Sequence, residues 1–347
     1  MKLHYRPLFI ASILAISLGS CERDKADPSD PTETEIPEIP VSEVYVSGFE
    51  GGRAKYWKNG TVTHLTNGSG YATGITVAGN DVYVAGWEDI SGGRKLQYWK
   101  NGVGTQLAIG DTNTLTGGIA VSGNDVYVTG AQNTNGTKVG KCWKNGIATN
   151  LSDGTPGHHT NASGIVVVGN DVYIAGGEFN GSRIVAKYWK NGVAIPLTDG
   201  TKSAYAYAIA VDGKDIYVAG YEGMTTDGGS TPVAKYWKNG VAVSLTDGTK
   251  YNVATDIAVL GKNVYVSGYQ NNGSAGNTAK YWKNGTAKDL TNGSQTSEAN
   301  AIALSGGAVY IAGYEGRFVT YWKNGVATHL SSGMSSSSSG LAIFLKK

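Results

Sequence analysis

Seven positions along this chain place a carboxylate or an amide two residues after a glycine. They are Glu50, Glu88, Gln132, Glu178, Glu222, Gln270 and Glu315. The residue between is aromatic in five of them: Phe49, Trp87, Tyr221, Tyr269 and Tyr314. Aromatic faces beside acids and amides suit sugars, because rings cover apolar sugar faces while acids accept hydroxyl hydrogen bonds. A plainer reading makes each Glu or Gln a bond to backbone within its own repeat or the next one. Recurrence in every unit favours that plainer reading, since repeats copy scaffold more faithfully than sites. Trp87 stands apart from the other tryptophans, which all share one phrase described below. It is therefore the first candidate anchor, with Phe49, Tyr221, Tyr269 and Tyr314 beside it wherever they are exposed.

Other chemistry is sparse. His158-His159 is one adjacent pair with no partner cluster, which fits a surface loop better than a metal site. The Thr-Asp-Gly and Thr-Asn-Gly stretches lack the dense acids of a calcium loop. No nucleophile elbow, His-Glu-x-x-His or phosphate loop occurs. No metal and no cofactor is expected. Only two cysteines exist, Cys21 and Cys142, so there is no disulfide framework. Cys142 stands where other repeats carry Tyr and reads as a packing residue.

The elements that must position these residues come from a repeated phrase, Tyr-Trp-Lys-Asn-Gly. Its tryptophans are Trp57, Trp99, Trp143, Trp189, Trp237, Trp282 and Trp322, spaced by 42, 44, 46, 48, 45 and 40 residues. A period of that size with strand-like content predicts propeller blades. In the unit Tyr207 to Gly248, Ala208–Val211 is a first strand and Gly213-Lys214 a tight turn. Ile216–Ala219 and Ala234–Lys238 are the second and third strands. Asn239-Gly240 is a hairpin signal, since a type I′ turn needs positive φ at both central residues. Val241–Leu245 is the fourth strand. Lettered A to D from the centre outward, the strands give an all-β, seven-bladed propeller over residues 41–347. Each phrase Trp is expected to fill the wedge between blades, and each phrase Lys to be a solvated guard of the outer edge.

Strand A begins with small residues where backbones converge: Gly74, Gly118, Gly164, Ala208, Ala301 and Gly340, with Asp256 the exception. The first repeat starts at strand B, Val44–Ser47, while the chain finishes with a lone strand A, Gly340–Phe344. The two ends are expected to complete one blade and leave no open edge. Alternating strand direction puts the uniform A–B and C–D turns on one face. The variable B–C and D–A loops lie on the other, where binding sites usually sit. Tyr71, His159, Tyr205 and Tyr251 belong to those D–A loops.

The amino terminus reads as an address. Lys2 and Arg6 precede an apolar run, Leu8–Leu18, too short to span a bilayer and suited to a signal peptide over residues 1–20. Leu18-Gly19-Ser20-Cys21 resembles the lipobox of bacterial lipoproteins, which implies lipidation of Cys21 and a membrane anchor there. Residues 21–40 read as a lipidated Cys and a disordered acidic, proline-rich tether. Glu22 after the Cys, in place of Asp, implies the outer membrane of a Gram-negative bacterium, facing the periplasm or the cell surface. Beyond residue 40 the chain has 25 bases and 20 acids, a net of +5 that does not suggest nucleic acid. A monomer is expected.

The segment Ala208-Ile-Ala-Val-Asp-Gly-Lys-Asp-Ile-Tyr-Val-Ala-Gly-Tyr-Glu222 resembles the seven-bladed β-propeller repeats of exported bacterial proteins. The hairpin phrase is similar to those of secreted or lipoprotein propellers. The resemblance implies the fold and no single activity. Near-identical blades point to a non-enzymatic binding or interaction module for a protein or a glycan. The alternative is a carbohydrate-active hydrolase or lyase, because a propeller can assemble paired carboxylates from distant blades.

Overall fold

The computed structural model describes residues 40–134, 136–224, 231–335 and 337–346. Residues 1–39 lie outside the described residues, and with them the leader, Cys21 and all but the last tether residue. Seven four-stranded antiparallel sheets make up the described chain. The innermost strands contact one another in a closed cycle, so the fold is a seven-bladed β-propeller. Blade 5 shows the common unit: Ser203–Asp212, Asp215–Met224, Val233–Lys238 and Val241–Ser244. Among the described residues the helical structure is a single 3₁₀ turn, Gly273–Ala275, and no helix could cross a membrane.

Blade 1 closes the ring as expected. Its inner strand Ser338–Lys346 pairs antiparallel with Glu43–Glu50, and Ser42 donates its backbone N–H to the Lys346 carbonyl at 3.0 Å. The seam is as apolar as any other blade junction: Val46 and Trp57 of blade 1 pack on Ala301, Ala312 and Val319 of blade 7.

The phrase tryptophans are the wedges. All seven are buried, and each packs against the preceding blade, as Trp237 does on Tyr173, Ala175 and Ala186. Burying such a ring removes a large apolar area from water and fills the space where blades diverge.

The Lys-Asn-Gly part has a second task. Each Asn holds φ between 49° and 53°, and the Gly after it is also left-handed, which is the type I′ geometry. Each Asn side chain also reaches the start of strand B. Asn239 Oδ1 accepts the Ile216 N–H at 2.9 Å, and its Nδ2 donates to Asp215 Oδ1 at 2.8 Å. The adjacent lysine is solvent-exposed, as expected, but it also has partners. Lys58, Lys100, Lys144, Lys190 and Lys238 each pair with an acid at the start of strand B, at 2.5–2.9 Å. In every blade the phrase Lys also lies 5.1–5.8 Å from the centre of a strand-B tyrosine ring. The hydrogen bond that the Lys238 ammonium donates to Asp215, then the one to Tyr217, holds it above its ordinary range. The uniform face is thus stitched by polar contacts between the A–B and C–D turns.

Strand A carries a bulge in every blade. Tyr207, Thr255, Asn300 and Thr73 are extra residues that the partner strand does not match. A bulge turns its side chain out of the sheet plane, here toward the axis. It also explains the strand-B glycine: a Cβ on Gly268 would lie 2.0 Å from the Val253 carbonyl oxygen. The register moves one sequence assignment. Ala342, not Gly340, matches Gly74, since Ala342 faces Ser47 as Gly74 faces Ala85. The position stays small, as the crowding near the axis requires.

Candidate functional site

The repeated Glu and Gln are largely part of the scaffold. Glu50 receives Lys55 at 2.7 Å, Glu88 receives Lys95 at 2.9 Å and Glu178 receives Lys187 at 2.8 Å. Lys235 bonds Glu222 in the same way, and Lys280 donates to Gln270 at 2.9 Å. Gln132 donates instead to the Ile109 carbonyl at 3.0 Å. Glu315 has Thr320 at the lysine position. The partner is therefore a strand-C ammonium of the same blade in most units, rather than the backbone anticipated from sequence.

Three of the five aromatic candidates are not exposed. Trp87 retains 8% of its surface, held between Tyr71, stacked at a centroid distance of 4.6 Å, and the Arg94 guanidinium at 3.5 Å. Phe49 continues the column at 3.9 Å from Tyr71. Tyr221 is buried as well. Neighbouring loop residues cover these rings, and that cover is invisible in a linear repeat. Tyr269 and Tyr314 remain half-buried. His159 stacks on Phe179, and His158 lies 4.0 Å from Glu178. Among the described residues no group of three or more His, Cys, Asp or Glu is placed to hold a metal ion. The Cys142 thiol is pushed up to about 11 by burial, so it is protonated and unreactive at neutral pH.

Among the described residues, a central channel of about 510 Å³ offers a concave site. Its wall comes from the inner strands, including the bulge residues Thr73, Tyr207, Thr255 and Asn300. Tyr269 and Glu298 join the lining at strand ends adjoining the B–C and D–A loops, so this end opens on the variable face. Among the described residues, no lysine, arginine or histidine lines the channel.

Two acids stand in that wall, in adjacent blades. Asp256 in blade 6 has one oxygen on the Ile257 N–H and the other on the Ile302 N–H of blade 7, both at 2.8 Å. Burial raises its carboxyl to about 7, although both hydrogen bonds work to lower it. Glu298 in blade 7 accepts from Asn277 at 2.6 Å, and burial raises it against the hydrogen bonds of Asn277 and Tyr314. Around them lie tyrosines of blades 5 to 7. Tyr207 is 4.7 Å from Tyr205 and 6.0 Å from Tyr221, centroid to centroid. Burial holds the hydroxyls of Tyr207, Tyr269 and Tyr314 protonated well above the ordinary tyrosine range.

Sequence reasoning named Asp256 but missed Glu298. A signal existed in the register. The positions equivalent to Glu298 are Ser339, Tyr71, Leu115, Asn161, Tyr205 and Val253, so blade 7 alone has an acid there. Finding it requires the strand-A alignment, which the bulges obscure.

No protein-family model and no curated protein matches this chain. Among solved structures it is similar to the β-propeller domain of the Trilobed protease from Pyrococcus furiosus. Identity there is 9%, over 84% of this chain and 95% of that one, with a TM-score of 0.49. It is also similar to the acylaminoacyl peptidase of Pyrococcus horikoshii, at 9% identity over 83% of this chain and a TM-score of 0.47. A puromycin-hydrolyzing peptidase of Mycobacterium tuberculosis gives 12%, 88% and 0.48. The chain spans 50% and 53% of the length of those last two. Likeness at this level carries no argument about activity.

Proposed function

We propose that this protein is a binding propeller of the cell envelope, held by lipid at Cys21 to the outer membrane of a Gram-negative bacterium. Its variable face presents the mouth of the central channel to a protein or a glycan. The observation that carries the reading is the local departure from repetition: blades 5 to 7 alone line the channel with tyrosines and acids. Pockets of this volume, with apolar walls and a few convergent polar groups, are typical of ligand sites. Binding is favoured over catalysis because Asp256 serves the scaffold, its two oxygens holding the Ile257 and Ile302 N–H groups across two blades.

Screening the purified protein against a glycan array and an envelope-protein extract tests this. A retained glycan or protein that is released unchanged supports the binding reading. Release of a shortened glycan would replace it with the carbohydrate-active enzyme. Retention of nothing in either screen would count against a ligand on this face.

A further inference from the structure

We propose that the channel between blades 5, 6 and 7 binds a small organic cation, an ammonium-bearing molecule, with Glu298 and the tyrosine rings as its contacts. The inference deepens the binding reading above and rests on it.

Asp256 and Glu298 line one cavity, and among the described residues no basic side chain lines it. The nearby strand-C lysines are occupied elsewhere: Lys235 bonds Glu222, and Lys280 holds Gln270 and Asp289. Asp256 and Glu298 are both half-buried, and a partly desolvated carboxylate without a cationic partner is costly. Carboxyls in six other blades would have been equally easy to place, yet the equivalent positions hold small, apolar or neutral residues. In blade 7, Glu298 is therefore a departure that scaffold needs do not explain. Asp256 has a structural use in its two N–H bonds. Glu298 lies beside Tyr314, its cross-strand partner, and keeps acceptor capacity beyond its bonds to Asn277 and Tyr314.

The walls supply the second half. Tyr207 projects from its bulge into the channel and keeps 36% of its surface exposed there. Tyr269 lines the same cavity, with Tyr221 behind Tyr207. Neutral tyrosine faces carry the negative part of the ring quadrupole, and they attract ammonium groups most strongly where water is excluded. Aromatic walls around a lone carboxyl, with no competing base, are the chemistry of ammonium recognition. A neutral sugar would use the rings but has no need of two half-buried acids.

Isothermal titration of the full-length protein with choline tests the assignment. The control ligand is choline's uncharged isostere, with carbon in place of the quaternary nitrogen. Choline is expected to bind at one site, and the isostere at least about tenfold more weakly. Glu298→Gln retains an oxygen for the Asn277 amide, so unchanged thermal unfolding is expected, with choline binding weakened roughly tenfold. Tyr269→Ala should weaken it to a similar degree. Equal binding of the isostere, undiminished binding by Glu298→Gln, or no heat from choline at millimolar concentration would overturn the inference. A neutral glycan captured in the array with no choline binding would remove the cation while leaving the binding reading intact. Choline binding beside an empty array and extract would keep the cation and remove the protein or glycan ligand.

Discussion

The carboxylate of Asp256 in blade 6 accepts the backbone N–H of Ile302 in blade 7 at 2.8 Å. Two blades are joined at the channel wall by a titratable group, alongside the Thr255 hydroxyl that donates to the Ala299 carbonyl at 2.6 Å. Thr73 and Asn300 make comparable bridges from blades 2 and 7 to the carbonyls of Gly117 and Gly340. The innermost ring is therefore tied by side chains as well as packed.

Desolvation of the Asp256 carboxyl, which outweighs its two hydrogen bonds, makes stability depend on pH. With the carboxyl raised from 3.8 to about 7, the folded protein keeps a proton that the unfolded chain has released. Stability contributed by this group is full below pH 4, falls as pH rises to about 7, and is level above it. The full swing is on the order of 4 kcal/mol. Asp256→Asn should flatten this part of the profile, with Glu298 leaving a smaller slope of the same sign. Urea unfolding of both proteins from pH 4 to pH 8 checks it, and parallel profiles would contradict it.

Trp87→Ala is expected to behave as a core mutation, costing about 3 kcal/mol or more, close to Trp237→Ala. The ring supports Tyr71 and Arg94, so both lose a partner. Denaturant midpoints for the two variants decide this. A loss under about 1 kcal/mol for Trp87→Ala would mean that the column is loose.

Asn239 serves a backbone and a side-chain role, and two variants separate them. Asn239→Gly keeps the left-handed turn but loses the bonds to Ile216 and Asp215. Asn239→Ala loses both, so it should cost about 1 kcal/mol more than the glycine variant. Thermal unfolding of the pair tests the order, and a more stable alanine variant would refute it.

Removing residues 338–347 takes the inner strand from blade 1 and exposes the edge of Glu43–Glu50. Large destabilisation and aggregation are expected, because unpaired edges template association. Unchanged unfolding with a monomeric elution volume would contradict closure through this strand.

Cys21→Ser should abolish incorporation of labelled fatty acid and release the protein from the membrane fraction, since a lipid chain would supply the affinity. Label retained by the serine variant, or absent from the native chain, would refute the lipid anchor.

The amino-acid sequence by itself determined the architecture. The spacing of seven tryptophans, the Asn-Gly turns and the split first repeat are local signals copied along the chain, and each has one geometric solution. Positive φ at Asn239 or Asn191 follows from residue type and hairpin length alone. Only the tertiary structure decided where side chains from different repeats meet. Trp87 was a plausible exposed anchor until Tyr71 and Arg94 enclosed it. The repeated glutamates resembled a sugar site until strand C supplied their lysines. Glu298, Tyr207 and Tyr269 lie in three blades, tens of residues apart, and one-residue bulges set which of them reach the channel. A bulge shifts side-chain alternation without changing the repeat's composition, so the channel wall emerges only when all seven blades converge on one axis.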